Sequence, residues 1–221
     1  MQPCVDAARA GAPEPHAKKK SLIAVERLEP RIVELRARFA EKQPELVADD
    51  LVFLDEAGSH IAMTRTYGRA PRGERVVEAV PRNRGSVTTM LGALTVSGLL
   101  AMMTVEGGTD EEVFLTFLDR VLAPKLKPGH VVVMDNAGAH KTLAVRRRIE
   151  ATGARVLFLP PYSPEFNPIE ECWSKLKELL RKFGPRSRDD LDFAIGDAMT
   201  RISESDARGW IRHAGYRCGV N

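Results

Sequence analysis

Cysteine is scarce in this 221-residue chain, long apolar runs are missing, and neither sign of charge dominates. Its three cysteines, Cys4, Cys172 and Cys218, lie far apart and form no CxxC pair. That speaks against a zinc ribbon or a thioredoxin-like site, and an odd, scattered set suits a reducing, cytoplasmic location. A chain of this length can bury about 70% of its unfolded surface, so it needs no disulfide staples. No apolar run approaches the ~20 residues of a membrane span. The longest, Thr95–Met103, is broken by Ser97 and Gly98. The start, MQPCVDAARAGAPEPHAKKK, lacks the apolar stretch of a signal peptide. A net charge of +3 is too small to name a partner, so any nucleic-acid surface has to be found as a patch.

What is present is ordinary globular composition, 43% hydrophobic and 29% charged, arranged in a readable order. Residues 1–20, rich in Ala, Gly and Pro and closed by Lys18–Lys20, read as a disordered tail. Residues 21–50 read as a helical lead-in, with apolar residues at spacings near three and four and a break at Pro30. Residues 51–221 form the main domain. Leu51–Leu54 is a buried strand that delivers Asp55, and Val131–Met134 is a second that delivers Asp135. Between them lie a turn-rich stretch with a candidate strand at Arg75–Val80, two strands around a Ser97-Gly98 turn, and a helix over Asp110–Leu122 that Thr109 can cap. A helix over 141–151, a strand over Arg155–Leu159, a helix over Pro168–Phe183 and a last helix over Arg188–Ile202 complete the order. The fold class is α/β: a mixed sheet flanked by helices, in which functional groups gather at the carboxyl ends of the strands.

Three local texts each deliver an acid: LVFLDE with Asp55, VVVMDNAGAHKT with Asp135, and LPPYSPEFNPIEECW with Glu170. If Asp55 and Asp135 end neighbouring strands, two bare carboxylates stand close, and one should hold a proton. Replacing Asp135 with Asn is then expected to relieve repulsion. A divalent cation removes the same problem, and Mg²⁺ favours a few carboxylates plus water and phosphate oxygens. Two such ions about 4 Å apart suit in-line displacement at phosphorus. Taken singly, each acid also reads as a loop residue, a helix cap or a complement to a helix dipole.

The third text resembles the signature of DDE transposases of the mariner-like superfamily, in their bacterial insertion-sequence branch. The pattern Y-S-P-x-x-N-P-I-E-x-x-W is met by Tyr162, Ser163, Pro164, Asn167, Pro168, Ile169, Glu170 and Trp173. Asp135, Asn136 and His140 are similar to the second motif, and thirty-four residues separate Asp135 from Glu170. The resemblance implies an RNase H-like fold, with Asp55, Asp135 and Glu170 as catalytic metal ligands for Mg²⁺ or Mn²⁺, two ions in all. It implies cleavage at the ends of a transposable element in double-stranded DNA, then attack of the released 3′-hydroxyl on target DNA. Relatives carry a helix-turn-helix module before this domain. Only about fifty residues precede Asp55, so a separately encoded helix-turn-helix partner is expected; a homodimer is expected as well. Another RNase H-like nuclease, or a non-catalytic DNA-binding remnant, are the rival readings.

Asn136, His140 and Asn167 are candidates for orienting substrate or supporting the triad, with loop-tying and capping as the alternatives. Glu56 faces away from Asp55 on a strand and reads as support, and Trp173 as packing under the Glu170 helix. Asp110, Glu111 and Glu112 suit a helix start and are set aside. Two basic clusters, Arg65, Arg69, Arg72 and Arg75 after Asp55, and Lys175, Lys177, Arg181 and Lys182 after Glu170, are candidates for phosphate contacts.

Overall fold

The computed structural model describes residues 23–219, so the tail expected at residues 1–20 lies outside the described residues. Five strands form one sheet in the order β3-β2-β1-β4-β5. β1 (Leu51–Ser59), β2 (Thr88–Thr95) and β3 (Gly98–Glu106) run as an antiparallel meander. β4 (Val131–Met134) and β5 (Arg155–Phe158) extend it in parallel on the other side of β1.

Strand alternation sorts the sheet's side chains into two cores. Leu51, Phe53, Met90, Leu94, Val131 and Val133 face α4 (Ile169–Phe183), α5 (Arg188–Thr200) and α6 (Glu204–His213). Val52, Leu54, Leu91, Ala93, Val132 and Met134 face α2 (Glu111–Phe117) and α3 (Leu143–Glu150). With both faces covered, the central strands are near-continuous apolar runs, and the first polar residues after them mark where the sheet meets solvent.

The lead-in is a 3₁₀ turn at Val25–Leu28 followed by α1 (Pro30–Lys42), with Pro30 at the helix start rather than inside it. α1 is tied to the rest of the chain. Gln43 donates to the Ala214 carbonyl at 2.6 Å, and Phe39 stacks on Phe166 at 4.9 Å.

Several expected elements differ. β1 runs five residues beyond Leu54, because β2 continues to pair with it through Ser59. Arg75–Val80 forms no strand; the connection from β1 to β2 is irregular and exposed, with Tyr67 and Val77 about 90% and 87% accessible. The helix expected over 110–122 is α-helical only to Phe117 and then widens into a π-helical turn at Leu118–Leu122. Its cap is Asp110, which accepts from the Val113 amide at 2.9 Å, not Thr109. α6 follows the helix taken as the last: Ser203 and Asp206 cap each other's backbone reciprocally, the S-x-x-D text of a capping box. No helix among the described residues is long and apolar enough to cross a membrane.

Candidate active site

Strand register assembles the acids. Phe53 pairs with Val133 in the parallel β1–β4 ladder, so two residues further on Asp55 and Asp135 stand level on adjacent strands. Alternation puts Asp55 on the same face as Phe53, the face covered by α4. Glu170, in the first turn of α4, faces the same space. The three carboxylates line one cleft of about 490 Å³ with Asn136, Lys141, Asn167 and the Pro160–Pro164 loop.

Their environments separate them. Burial first, then the charges of Glu170 and Asp135, push the Asp55 carboxyl up from an ordinary 3.8 to about 7. Glu170 is raised as well, by burial, with Lys177 pulling against it. Asp135 goes the other way. Burial would raise it, but His140 Nδ1 donates to Oδ1 at 2.7 Å and the Ala137 amide donates to the same oxygen at 2.9 Å, so it is lowered overall. Asp135→Asn would still relieve repulsion on Asp55 and Glu170, but it would also give up a charge held by donors, so the more strained charge is the one on Asp55.

His140 is buried between two carboxylates. Its Nε2 lies 3.4 Å from Glu56 Oε1, and its ring lies 4.5 Å from Phe114. Burial opposes its charge, but the bonds to Asp135 and Glu56 prevail and raise it to about 9. Glu56 points to the α2 face, as alternation requires, and meets His140 there. Asn136 donates its amide to the Leu159 carbonyl, tying the end of β4 to the end of β5. Asn167 is buried, and its Oδ1 has no partner among the described residues while its side chain borders the cleft.

Trp173 does more than pack. Its indole Nε1 donates to Asp55 Oδ2 at 3.2 Å. Gly92, which pairs across the ladder with Asp55, makes the room: a Cβ there would stand 2.5 Å from the Trp173 ring. A glycine inside an otherwise apolar strand was the sequence signal for this close approach. The backbone of Tyr162, named above only as a motif position, is a second feature that sequence reasoning passed over. It holds φ 55°, unusual for a bulky residue, and its carbonyl accepts from Arg36 at 2.9 Å. Arg36 also donates to Ser163 Oγ at 2.6 Å and pairs with Glu165, so α1 clamps the loop that leads to Asn167 and Glu170.

The expected basic residues are spread. Arg65, Arg69, Arg72 and Arg75 are exposed on the irregular β1–β2 connection, and none lines the acidic cleft. Arg186 holds that connection against the start of α5 through the Met63 carbonyl and Glu78. Lys175 is bound to Asp206 at 2.5 Å and Lys182 to Glu178 at 2.6 Å, while Arg181 is exposed near His60.

The donor set suits a hard divalent cation: crowded carboxylates lacking a countercharge at Asp55, and an orphaned amide oxygen at Asn167. Among the described residues no three His, Cys, Asp or Glu side chains stand close enough together to hold a metal ion as they are placed.

A family model described as DDE superfamily endonuclease matches residues 50–192. No protein of curated function matches the chain. Among solved structures, the Mos1 transposase paired-end complex with left transposon end is similar with a TM-score of 0.73 at 18% identity, over 90% of this chain and 63% of that one. The Mos1 paired-end complex with Mg is similar at 0.74 and 18%, over 90% and 64%. The isolated catalytic domain of Mos1 mariner transposase is similar at 0.62 and 15%, over 89% and 92%. The chain thus spans under two thirds of the Mos1 chains in the complexes and nearly all of the catalytic domain, and at these identities the likeness is one of fold.

Proposed function

The chain belongs to the DDE superfamily endonucleases, and from that premise we propose that it is the catalytic domain of a transposase, cutting and rejoining DNA strands with divalent metal. One observation carries the reading: the β1–β4 register sets Asp55 beside Asp135 at a cleft that Glu170 enters from α4. In this reading Asp55, Asp135 and Glu170 are the catalytic residues and hold Mg²⁺ or Mn²⁺, two ions in all. When bound, the metal supplies positive charge against the developing charge of an in-line displacement at phosphorus.

The chain's own residues do the rest. Trp173 fixes one oxygen of Asp55, leaving the carboxylate a single preferred orientation. His140 fixes one oxygen of Asp135 and keeps that carboxylate ionised when its neighbours take up protons. Asn167 offers its unpartnered amide oxygen toward a cation or, on the flipped assignment, an NH₂ toward a substrate phosphate. Lys141, at the cleft edge, and Lys177, near Glu170, add cations along the path of the backbone.

The motif around Glu170 supports the bacterial insertion-sequence branch. A separately encoded helix-turn-helix partner belongs to this reading, as does a homodimer on DNA, by likeness to the paired-end complexes of Mos1. The cytoplasm, at the nucleoid, is the location that follows. The test is incubation of the purified chain, with Mg²⁺, with DNA carrying the sequences that flank its reading frame. Strand-joined product is expected, and Asp55→Asn should abolish it. Hydrolysis without joining, or cutting confined to RNA–DNA hybrids, would assign a different RNase H-like nuclease.

A further inference from the structure

Beside the acidic cleft lies a second cleft of about 480 Å³, lined by Arg31, Leu35, Arg38, Phe39 and Lys42 of α1 and by Phe158 and Pro160 of the opposite wall. The two clefts share Asn136, Lys141, Leu159, Pro160 and Pro161, so they form one trench. We propose that this trench is a DNA-strand track in which Arg31, Arg38 and Lys42 of α1, with Lys141, bind the phosphates of the strand leading to the cleavage site. The proposal rests on the reading of the acidic cleft as a DNA-cutting site and extends it to a surface on the lead-in helix.

Helix geometry places the contacts. Positions 31, 35, 38, 39 and 42 follow the three-and-four spacing of a single helix face. That face combines cations with Leu35 and Phe39, whereas Arg36, off the stripe, clamps the Tyr162–Glu165 loop. The helix is therefore held rigidly from one side while the cationic face stays open. At 1.5 Å per residue, Arg31 and Lys42 are about 16 Å apart along the axis, the rise of four to five nucleotides of one strand.

Charge selects the occupant. No carboxylate lines this second cleft, and Arg31, Lys42 and Lys141 form no ion pair among the described residues. Arg38 is paired with Glu34 only through an exposed contact four residues away, which is weak in solvent and yields readily to a phosphate. At its other end the trench meets three acids, so a polyanion bound along its length is repelled there unless metal is present. A basic track that runs into an acidic, metal-suited end fits a nucleic-acid backbone better than an acidic peptide. The walls of Phe39, Phe158 and the prolines suit sugars and base edges without reading sequence.

The experiment compares two triple variants of equal charge loss, each checked for folding by circular dichroism. Arg31→Ala/Arg38→Ala/Lys42→Ala empties the track, and Arg120→Ala/Arg146→Ala/Arg147→Ala removes exposed cations on the α2–α3 layer. Binding of a fluorescein-labelled 25-base-pair duplex is followed by anisotropy in EDTA at several salt concentrations. The track variant should lose about tenfold in affinity at 0.1 M salt, with the log–log salt slope falling by roughly two to three. The control should change less than twofold. Equal losses in both variants, or none in the track variant, would overturn the inference. Plasmid nicking in Mg²⁺ separates the two readings. Nicking by wild type with unchanged binding by the track variant removes the track and keeps the function. Track-dependent binding without nicking does the reverse. If the track variant instead dissociates a dimer in sedimentation velocity, the face is an interface between copies and the inference falls.

Discussion

Replacing Asp55 with Asn should stabilise the metal-free protein while destroying the site. At neutral pH and above, the Asp55 carboxylate is held between burial and the charges of Glu170 and Asp135, which raise it from 3.8 to about 7. For an acid with a raised folded value the native state binds more protons than the unfolded chain. Stability therefore falls as pH rises from about 4 to about 7, and the loss is complete above that. A displacement of about three units corresponds to roughly 4 kcal/mol. The cleft opens to solvent on one side, so about 2–4 kcal/mol is the expected range. Asn removes the charge and keeps an oxygen for the Trp173 indole. In EDTA at pH 8 the variant should melt about 5–10 °C above wild type, at roughly 2–4 °C per kcal/mol for a chain of this size. The advantage should shrink toward zero as pH is lowered to about 4. Adding Mg²⁺ should then raise the melting temperature of wild type and not of the variant. Thermal unfolding by circular dichroism across this pH range decides the matter. A variant no more stable than wild type at pH 8, or an advantage independent of pH, would show that the three acids are not electrostatically crowded.

Much of this site was legible because it hangs on strand ends. The apolar runs Leu51–Leu54 and Val131–Met134 read as buried strands, and Asp55 and Asp135 are the first polar residues after them. Their proximity still depended on the two strands being neighbours, which the β1–β4 register supplies. The motif around Glu170 brought α4 to the same place. What stayed hidden was set by long-range packing that no local pattern encodes. Trp173 looked like packing because helix periodicity reports which face is buried, not which atom an indole nitrogen meets across the core. The Gly92 clearance was visible only as a glycine inside a strand. The π-helical turn at Leu118–Leu122 has the apolar spacing of an ordinary helix, and hydrogen-bond slippage within it leaves no trace in that spacing. The strand expected at Arg75–Val80 failed for the opposite reason: Val76, Val77 and Val80 are strand formers, but the segment pairs with no strand of the sheet.

Three further outcomes follow from named contacts. Trp173→Phe keeps the ring against Gly92 and deletes the donor to Asp55, so it should cost about 1 kcal/mol in denaturant unfolding and weaken Mg²⁺ binding measured by calorimetry. Gly92→Ala drives a methyl into that ring and should cost about 1–3 kcal/mol, and an unchanged midpoint would contradict the packing. Arg36→Ala frees the Tyr162–Glu165 loop, so limited proteolysis should cut within 160–168 faster than in wild type. The fourth outcome concerns His140, whose folded value near 9 exceeds the ordinary 6.5 because Asp135 and Glu56 hold its charge. For a base with a raised folded value, the stabilisation is fully present below about 6.5 and is lost as pH rises through about 9. The displacement of about 2.5 units sets an upper limit near 3 kcal/mol. His140→Asn cannot carry the charge, so the stability gap between wild type and variant, measured by urea unfolding in EDTA, should narrow by up to about 3 kcal/mol between pH 6 and pH 10. Asp55 loses its own contribution mostly below pH 7, so the two groups separate along the pH axis. A gap that stays constant from pH 6 to pH 10 would mean that His140 is neutral in the fold, and that Asp135 owes its low value to the Ala137 amide and Lys141 rather than to an imidazolium.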